Sequence, residues 1–254
     1  GLGEFDVGKA LYGLIQAGFA HRVGRREVPG RGRGSDAEVT EHQNLGIAFY
    51  QARILDDAVK EFRRVLELRP GDESARAYLA LIAVRQGKYR DALRLYQELL
   101  ETTGPRFGAF VNMAHALLRL GRTDDADLVL DEAEALRPES AVVALARAEI
   151  RFENGDLEAA AEWLEKYRER ATPDRPFAAI YYHHAALLDA AHGRVEQAKA
   201  LVAKGLEAYP ASAPILLLAG ALAERSGDES AAEQHYRQAV EEDASLGQAH
   251  KSLG

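Results

Sequence analysis

The stretch YYHHAALLDAAHGR, from Tyr181 to Arg194, holds the densest group of side chains with chemical potential in this chain. His183 and His184 are adjacent, so on a helix they point about 100° apart and cannot chelate one ion together. Helical metal ligands belong at i and i+4, and neither histidine has another His, Asp or Glu at that spacing. The pair reads as a polar surface patch rather than a metal site. No Gly-rich phosphate loop, Ser/His/Asp context or zinc-type cluster occurs elsewhere. Acidic pairs such as Asp124-Asp125 fall at helix starts, where carboxylates satisfy free backbone N–H groups. The sequence therefore offers no catalytic, cofactor-binding or metal-binding residue, and no cofactor or enzymatic activity is expected.

Composition bounds the remaining choices. The chain has 254 residues and a net charge of −8, which disfavours nucleic acid as a partner. Alanine and leucine dominate the apolar share, a balance that favours helix over strand. The absence of cysteine rules out disulfides and thiolate metal sites and fits a reducing, cytoplasmic compartment. No run of eighteen apolar residues is present, so no membrane-spanning helix is expected. The single methionine is Met113, and Gly1 opens in what reads as the middle of a motif. A processed chain or a fragment is expected, which leaves an export signal open.

The elements that position these side chains come from an internal repeat. The segment NLGIAFYQARILDDAVKEFRRVLELRP returns at a spacing of 34 residues as YLALIAVRQGKYRDALRLYQELL, then as NMAHALLRLGRTDDADLVLDEAEALRP and ARAEIRFENGDLEAAAEWLEKY. After the four-residue insertion Arg175–Ala178 it continues as HAALLDAAHGRVEQAKALVAKGLEAYP and LAGALAERSGDESAAEQHYRQAV. Six repeats are expected over 39–246: 39–72, 73–106, 107–140, 141–174, 179–212 and 213–246. Each reads as two helices joined by a tight turn. The fifteenth position is Gly87, Gly121, Gly155, Gly193 and Gly227, where a left-handed residue ends the first helix. Repeat one has Arg53 there, so a less regular turn is expected. The twentieth position is alanine six times, Ala58 through Ala232. The eighth is Gly46, Ala80, Ala114, Ala148, Ala186 and Gly220, and small residues at both places let paired helices approach closely. Pro70, Pro105, Pro138, Pro173 and Pro210 stop the second helices.

With these small, glycine and proline positions, the chain resembles the tetratricopeptide repeat family. The resemblance implies an all-α fold, an α-solenoid of six helix-turn-helix repeats wound into a right-handed superhelix. It departs from the family at the fourth position, with His42 and Arg76 in place of an aromatic, and at Thr172 and Ala244 in place of proline. The four-residue insertion is about one helical turn, and a bend between repeats four and five is expected from it.

The resemblance also implies a concave surface lined by the first helices, at the second, fifth, sixth, ninth, twelfth and thirteenth positions of each repeat. Those positions hold Gln43, Asn44 and Tyr50, then Tyr78, Leu81 and Arg85, then Asn112, His115 and Arg119. Further along come Leu145, Glu149, Phe152 and Glu153, followed by His183, His184, Leu187, Leu217 and Leu218. Chaperone-binding members hold a peptide C-terminus with lysine and asparagine in their first repeat. Gln43 and Ile47 stand at those places here, so that clamp is absent. Asn44 and Asn112 are candidates to hydrogen-bond a peptide backbone. Leu217 and Leu218 are either an apolar docking stripe or core residues packed on neighbouring helices.

Residues 1–23 follow a different pattern. Leu2, Val7, Leu11 and Leu14 share a helical face, Gly18 breaks it, and FAHRV extends as a short strand. This resembles the second half of a winged-helix motif, a small N-terminal remnant. Similar segments join PATAN-type regulatory domains to tetratricopeptide arrays in bacterial proteins, which implies a signalling or motility-regulating scaffold. Glu4, Asp6, Gly8 and Gly13 make that helix a poor phosphate-facing surface, and Lys9 and Gln16 are its only plausible nucleic-acid readers. The linker at 24–38 is Gly/Arg-rich and basic on balance: with the adjoining Arg22 it brings Arg25, Arg26, Arg31 and Arg33 against Glu27, Asp36 and Glu38. It is either a solvated spacer or a phosphate contact.

At the other end, GQAHKSLG places Leu253 and Gly254 on the seventh and eighth positions of a repeat, matching Leu45 and Gly46. Residues 247–254 are thus expected to open a seventh repeat or to form a cap. Three functions are compatible with these features. The first is a non-catalytic scaffold taking a partner peptide or helix in the groove. The others are a DNA-binding regulator with a peptide-sensing solenoid, and a structural protein self-assembling end to end.

Overall fold

The computed structural model describes residues 33–172 and 174–242. The winged-helix-like segment, Lys9, Arg22, Arg25, Arg26, Arg31, Pro173 and the expected start of a seventh repeat lie outside these residues. All regular structure among the described residues is α-helical. The helices come in pairs, one per repeat: α1 (Arg33–Gln51) with α2 (Leu55–Leu68), α3 (Glu73–Arg85) with α4 (Tyr89–Thr103), and α5 (Phe107–Arg119) with α6 (Thr123–Leu136). The last three pairs are α7 (Ala141–Glu153) with α8 (Leu157–Arg170), α9 (Ala179–Ala191) with α10 (Val195–Ala208), and α11 (Ala213–Arg225) with α12 (Glu229–Glu242).

The chain forms two compact units, one ending at Leu136 and the other starting at Arg137, a division that the even repeat pattern did not announce. In the first unit the pairs stack through α2 on α3 and α4 on α5, and the first helices α3 and α5 also touch directly. In the second, α8 meets α9 and α10 meets α11, while α7, α9 and α11 form the layer of first helices.

Small side chains set this geometry. Ala58, Ala92, Ala126, Ala160 and Ala198 are wholly excluded from solvent, each where the two helices of a pair cross. At Gly46 an added Cβ would land 2.9 Å from the Phe62 ring, and at Gly220 one would land 2.4 Å from Tyr236. The rings occupy the space that the glycines leave. Phe62 packs with Val39, Phe49, Val65 and Ile82 in the core of the first unit, while Ile215, Tyr181 and Tyr182 belong to that of the second. Each such buried side chain contributes roughly 1.5–3 kcal/mol.

The first turn corrects one expectation. Arg53 adopts φ 61°, beside φ 70–78° for the glycines at the same place in the other repeats. The Ile54 amide reaches the Phe49 carbonyl at 2.9 Å, as the Lys88 amide reaches Ala83 at 2.9 Å. The turn of repeat one is therefore as regular as the rest, because the backbone bonds hold Arg53 in a left-handed conformation that glycine would take freely. The first helix also begins at Arg33, inside the stretch read as linker. Asp36 pairs with Arg69 at 2.7 Å and Glu38 with Arg64 at 3.1 Å, tying that added length to α2 and its end.

The insertion before repeat five is packed. Phe177 lies against Tyr167, Tyr181 and Tyr182, and the Ala178 amide donates to the Tyr167 hydroxyl at 2.8 Å. Burial pushes the Tyr167 phenol above its ordinary pKa.

Candidate interaction surface

In the first unit, several residues expected to line the groove on α1, α3 and α5 are held by neighbouring aromatic and charged side chains. Tyr50 and Tyr78 meet edge to face with centroids 5.4 Å apart, and Arg85 lays its guanidinium 4.0 Å over the Tyr50 ring. Tyr78 also stacks on Phe62 at 4.7 Å, so the core fixes the orientation of this half-buried aromatic. Across the next boundary, Tyr89 meets His115 edge to face at 6.5 Å. Burial, and then the nearby charge of Arg119, lower the His115 pKa. Tyr50, Tyr78, Leu81, Asn112 and His115 are half-buried, while Asn44, Arg85 and Arg119 are exposed.

Gln43 is used differently. Its Nε2 donates to Asp72 at 2.8 Å, and the same carboxylate accepts the Ala75 amide at 2.9 Å to cap α3. Gln43 thus joins repeat one to repeat two instead of facing a ligand.

One participant was missed in the sequence. Tyr96, on α4, is 2% exposed, and its buried hydroxyl lies near the Asn112 side chain. Burial pushes this phenol well above its ordinary pKa. Little in the sequence signalled it, because the same place holds Phe62, Leu130, Leu164, Val202 and Tyr236 in the other repeats.

In the second unit the expected residues divide. Phe152 and His184 stack with centroids 4.2 Å apart, joining α7 to α9, and His183 lies 5.2 Å from His184. His184 is 9% exposed and its Nδ1 has no hydrogen-bond partner. Burial, with a smaller effect from His183, lowers its pKa to about 4, and burial lowers that of His183 as well. His184 is therefore a neutral core residue. Leu218 is also buried in the core, whereas Leu145, Leu187 and Leu217 are half-buried against it. Glu149 and Phe152 are half-buried, and Glu153 is exposed. Behind this layer, the Trp163 ring carries Lys166 at 3.9 Å and the buried Arg147 at 5.3 Å. Among the described residues no group of three or more His, Asp or Glu is placed to hold a metal ion, and no helix is long and apolar enough to cross a membrane.

Residues 111–176 match the family model of the tetratricopeptide repeat. The helical pairs within that stretch follow the tetratricopeptide repeat pattern. Residues 52–133 match a second model, described as anaphase-promoting complex, cyclosome, subunit 3. No curated protein matches the chain. Among solved structures, a tetratricopeptide repeat protein from Parabacteroides merdae superimposes with a TM-score of 0.72 at 16% identity, over 93% of this chain and 91% of that one. A thermophilic tetratricopeptide repeat protein from Thermus thermophilus is 24% identical, with a TM-score of 0.58 over 76% of this chain and 98% of its own. A chain of the anaphase-promoting complex hetero-tetramer Cut9–Hcn1 gives 0.71 at 12% identity over 81% of this chain, which spans 40% of that longer one. These likenesses are of fold. Tetratricopeptide repeat proteins generally act as protein-interaction scaffolds, and neither matched model describes an enzyme.

Proposed function

We propose that this protein is a non-catalytic scaffold that binds a partner peptide or helix on the layer of first helices. The observation that carries this reading is the patch on α1, α3 and α5. Tyr50, Tyr78, Asn112 and His115 are half-buried there, oriented by the core yet open on one side. Aromatic rings held in this way offer contact area with little entropy left to lose, and an adjacent amide can pair with a peptide backbone. Asn44 and Asn112 are the amide candidates. In the second unit, Phe152, Leu187 and Leu217 are the half-buried apolar groups that a partner helix would cover. The setting we infer, from the winged-helix and PATAN resemblance, is bacterial signalling or assembly.

The test is selection of binders from a random peptide display library, followed by hydrogen exchange on the full chain. Protection of α1, α3 and α5, together with weakened binding in Asn112→Ala, is the expected result. Protection confined to the second helices, or unchanged binding in Asn112→Ala and Tyr78→Ala alike, overturns the groove assignment.

A further inference from the structure

The inward positions of repeats one to three contain no aspartate or glutamate. Their charged residues are Arg85 and Arg119, which close α3 and α5 at equivalent places one repeat apart. In repeats four to six the same positions carry Glu149, Glu153 and Glu224 against Arg225 alone. In a chain of net charge −8, the inward positions of the first three repeats thus carry a net positive charge.

Neither arginine is neutralised within the described residues. Arg64, Arg69, Arg94, Arg106 and Arg122 of the same unit all pair with carboxylates. Arg85 instead lies over the Tyr50 ring, and Arg119 stands near His115, whose pKa its charge helps to lower. Arg53, Arg63, Arg76 and Arg90 also form no carboxylate pair among the described residues, but Arg53 sits at a turn, Arg63 and Arg90 lie on second helices, and Arg76 donates to the Pro70 carbonyl and Thr102. A guanidinium stacked on an aromatic face keeps its edge N–H groups free, in a fork suited to a carboxylate.

We infer that the groove of the first unit selects an acidic peptide segment, with side-chain carboxylates on Arg85 and Arg119 and the intervening residues over Tyr78 and His115. This rests on the scaffold reading above. Because α3 and α5 are in direct contact, their axes are about 8–10 Å apart. An extended chain advances about 3.3 Å per residue, so the two carboxylates fall roughly three residues apart. The ligand is an internal acidic stretch and needs no free C-terminus.

The experiment is fluorescence anisotropy on the full chain with two end-blocked peptides. One carries two glutamates three residues apart around a tyrosine, and the other has both glutamates replaced by glutamine. The glutamate peptide is expected to bind, with affinity falling as salt rises, and the glutamine peptide to bind about tenfold or more weakly. The double variant Arg85→Gln/Arg119→Gln should abolish that preference. Equal affinity for the two peptides, undiminished preference in the double variant, or no binding of either overturns the inference. Neutral peptides from the display library that still protect α1, α3 and α5 would leave the scaffold reading standing while sinking this one. Protection elsewhere would sink both.

Discussion

Arg85, the last residue of α3, covers the ring of Tyr50 at the end of α1 with 4.0 Å between guanidinium and centroid. The contact spans two repeats, and one of its members is exposed to solvent. A cation over an aromatic face at an exposed site contributes about 0.5–1 kcal/mol. Arg85→Gln should therefore lower the stability of the full chain by no more than about 1 kcal/mol in urea unfolding. A larger loss would make Arg85 a structural prop and would remove it as a ligand-binding residue.

Gly46 tests how closely the first pair is packed. Alanine gains up to about 1 kcal/mol of helix propensity over glycine. Its Cβ would meet the Phe62 ring at 2.9 Å, and Phe62 is wholly buried and has no room to retreat. Overpacking of that kind costs about 1–3 kcal/mol, so Gly46→Ala should be destabilising on balance. Gly108→Ala is the control: nothing lies within 4 Å of its added Cβ, and it should be neutral or stabilising by up to about 1 kcal/mol. If both variants unfold at the same denaturant concentration, the packing argument is wrong.

Arg53 holds a left-handed backbone in a place where five repeats use glycine. A non-glycine residue there gives up about 1–2 kcal/mol, against roughly 0.5–1 kcal/mol of extra entropy lost on folding by glycine. Arg53→Gly should raise the denaturation midpoint by the equivalent of up to about 1 kcal/mol. Gly121→Ala, at φ 72° with open space around it, should lower it by about as much. Both changes are read by urea titration, and a destabilised Arg53→Gly would contradict the assignment of strain.

His184 makes the second unit sensitive to acid. Its ordinary pKa is 6.5, and burial brings it to about 4 in the folded chain. Between these values the unfolded chain binds the extra proton and the folded chain does not. Stability is complete above pH 6.5 and is lost as pH falls toward 4, at up to about 1.4 kcal/mol per pH unit. His184→Phe keeps an aromatic against Phe152 and removes the proton, so its midpoint should fall less between pH 7 and 5 than that of the unaltered chain. Parallel curves for the two proteins would show that His184 is not the titrating group.

Much of the architecture was legible because it is encoded locally. A helical pair needs a small residue at the crossing, a left-handed residue at the turn and a stop at the end. Ala92, Gly87 and Pro105 announce these within one repeat. The layer of first helices was legible in outline for the same reason: a position such as Arg85 or Arg119 recurs on every first helix. Gln43, His184 and Leu218 show where that reading ran out. Their places in the repeat are inward ones, but Gln43 is bound to Asp72, His184 is stacked on Phe152, and Leu218 is buried among neighbouring helices.

The sequence by itself determined the period, the paired helices, the close crossings and the turns, since each depends on residues within one repeat of one another. Only the tertiary structure decided which inward side chains remain open. That outcome depends on the size of the neighbour in the next repeat and on the tilt at which two helices pack, neither of which the periodic pattern specifies. It turned His183 and His184 from a surface patch into a half-buried ring beside a buried one. It also set Arg85 over Tyr50, in a row where no carboxylate among the described residues takes the charge.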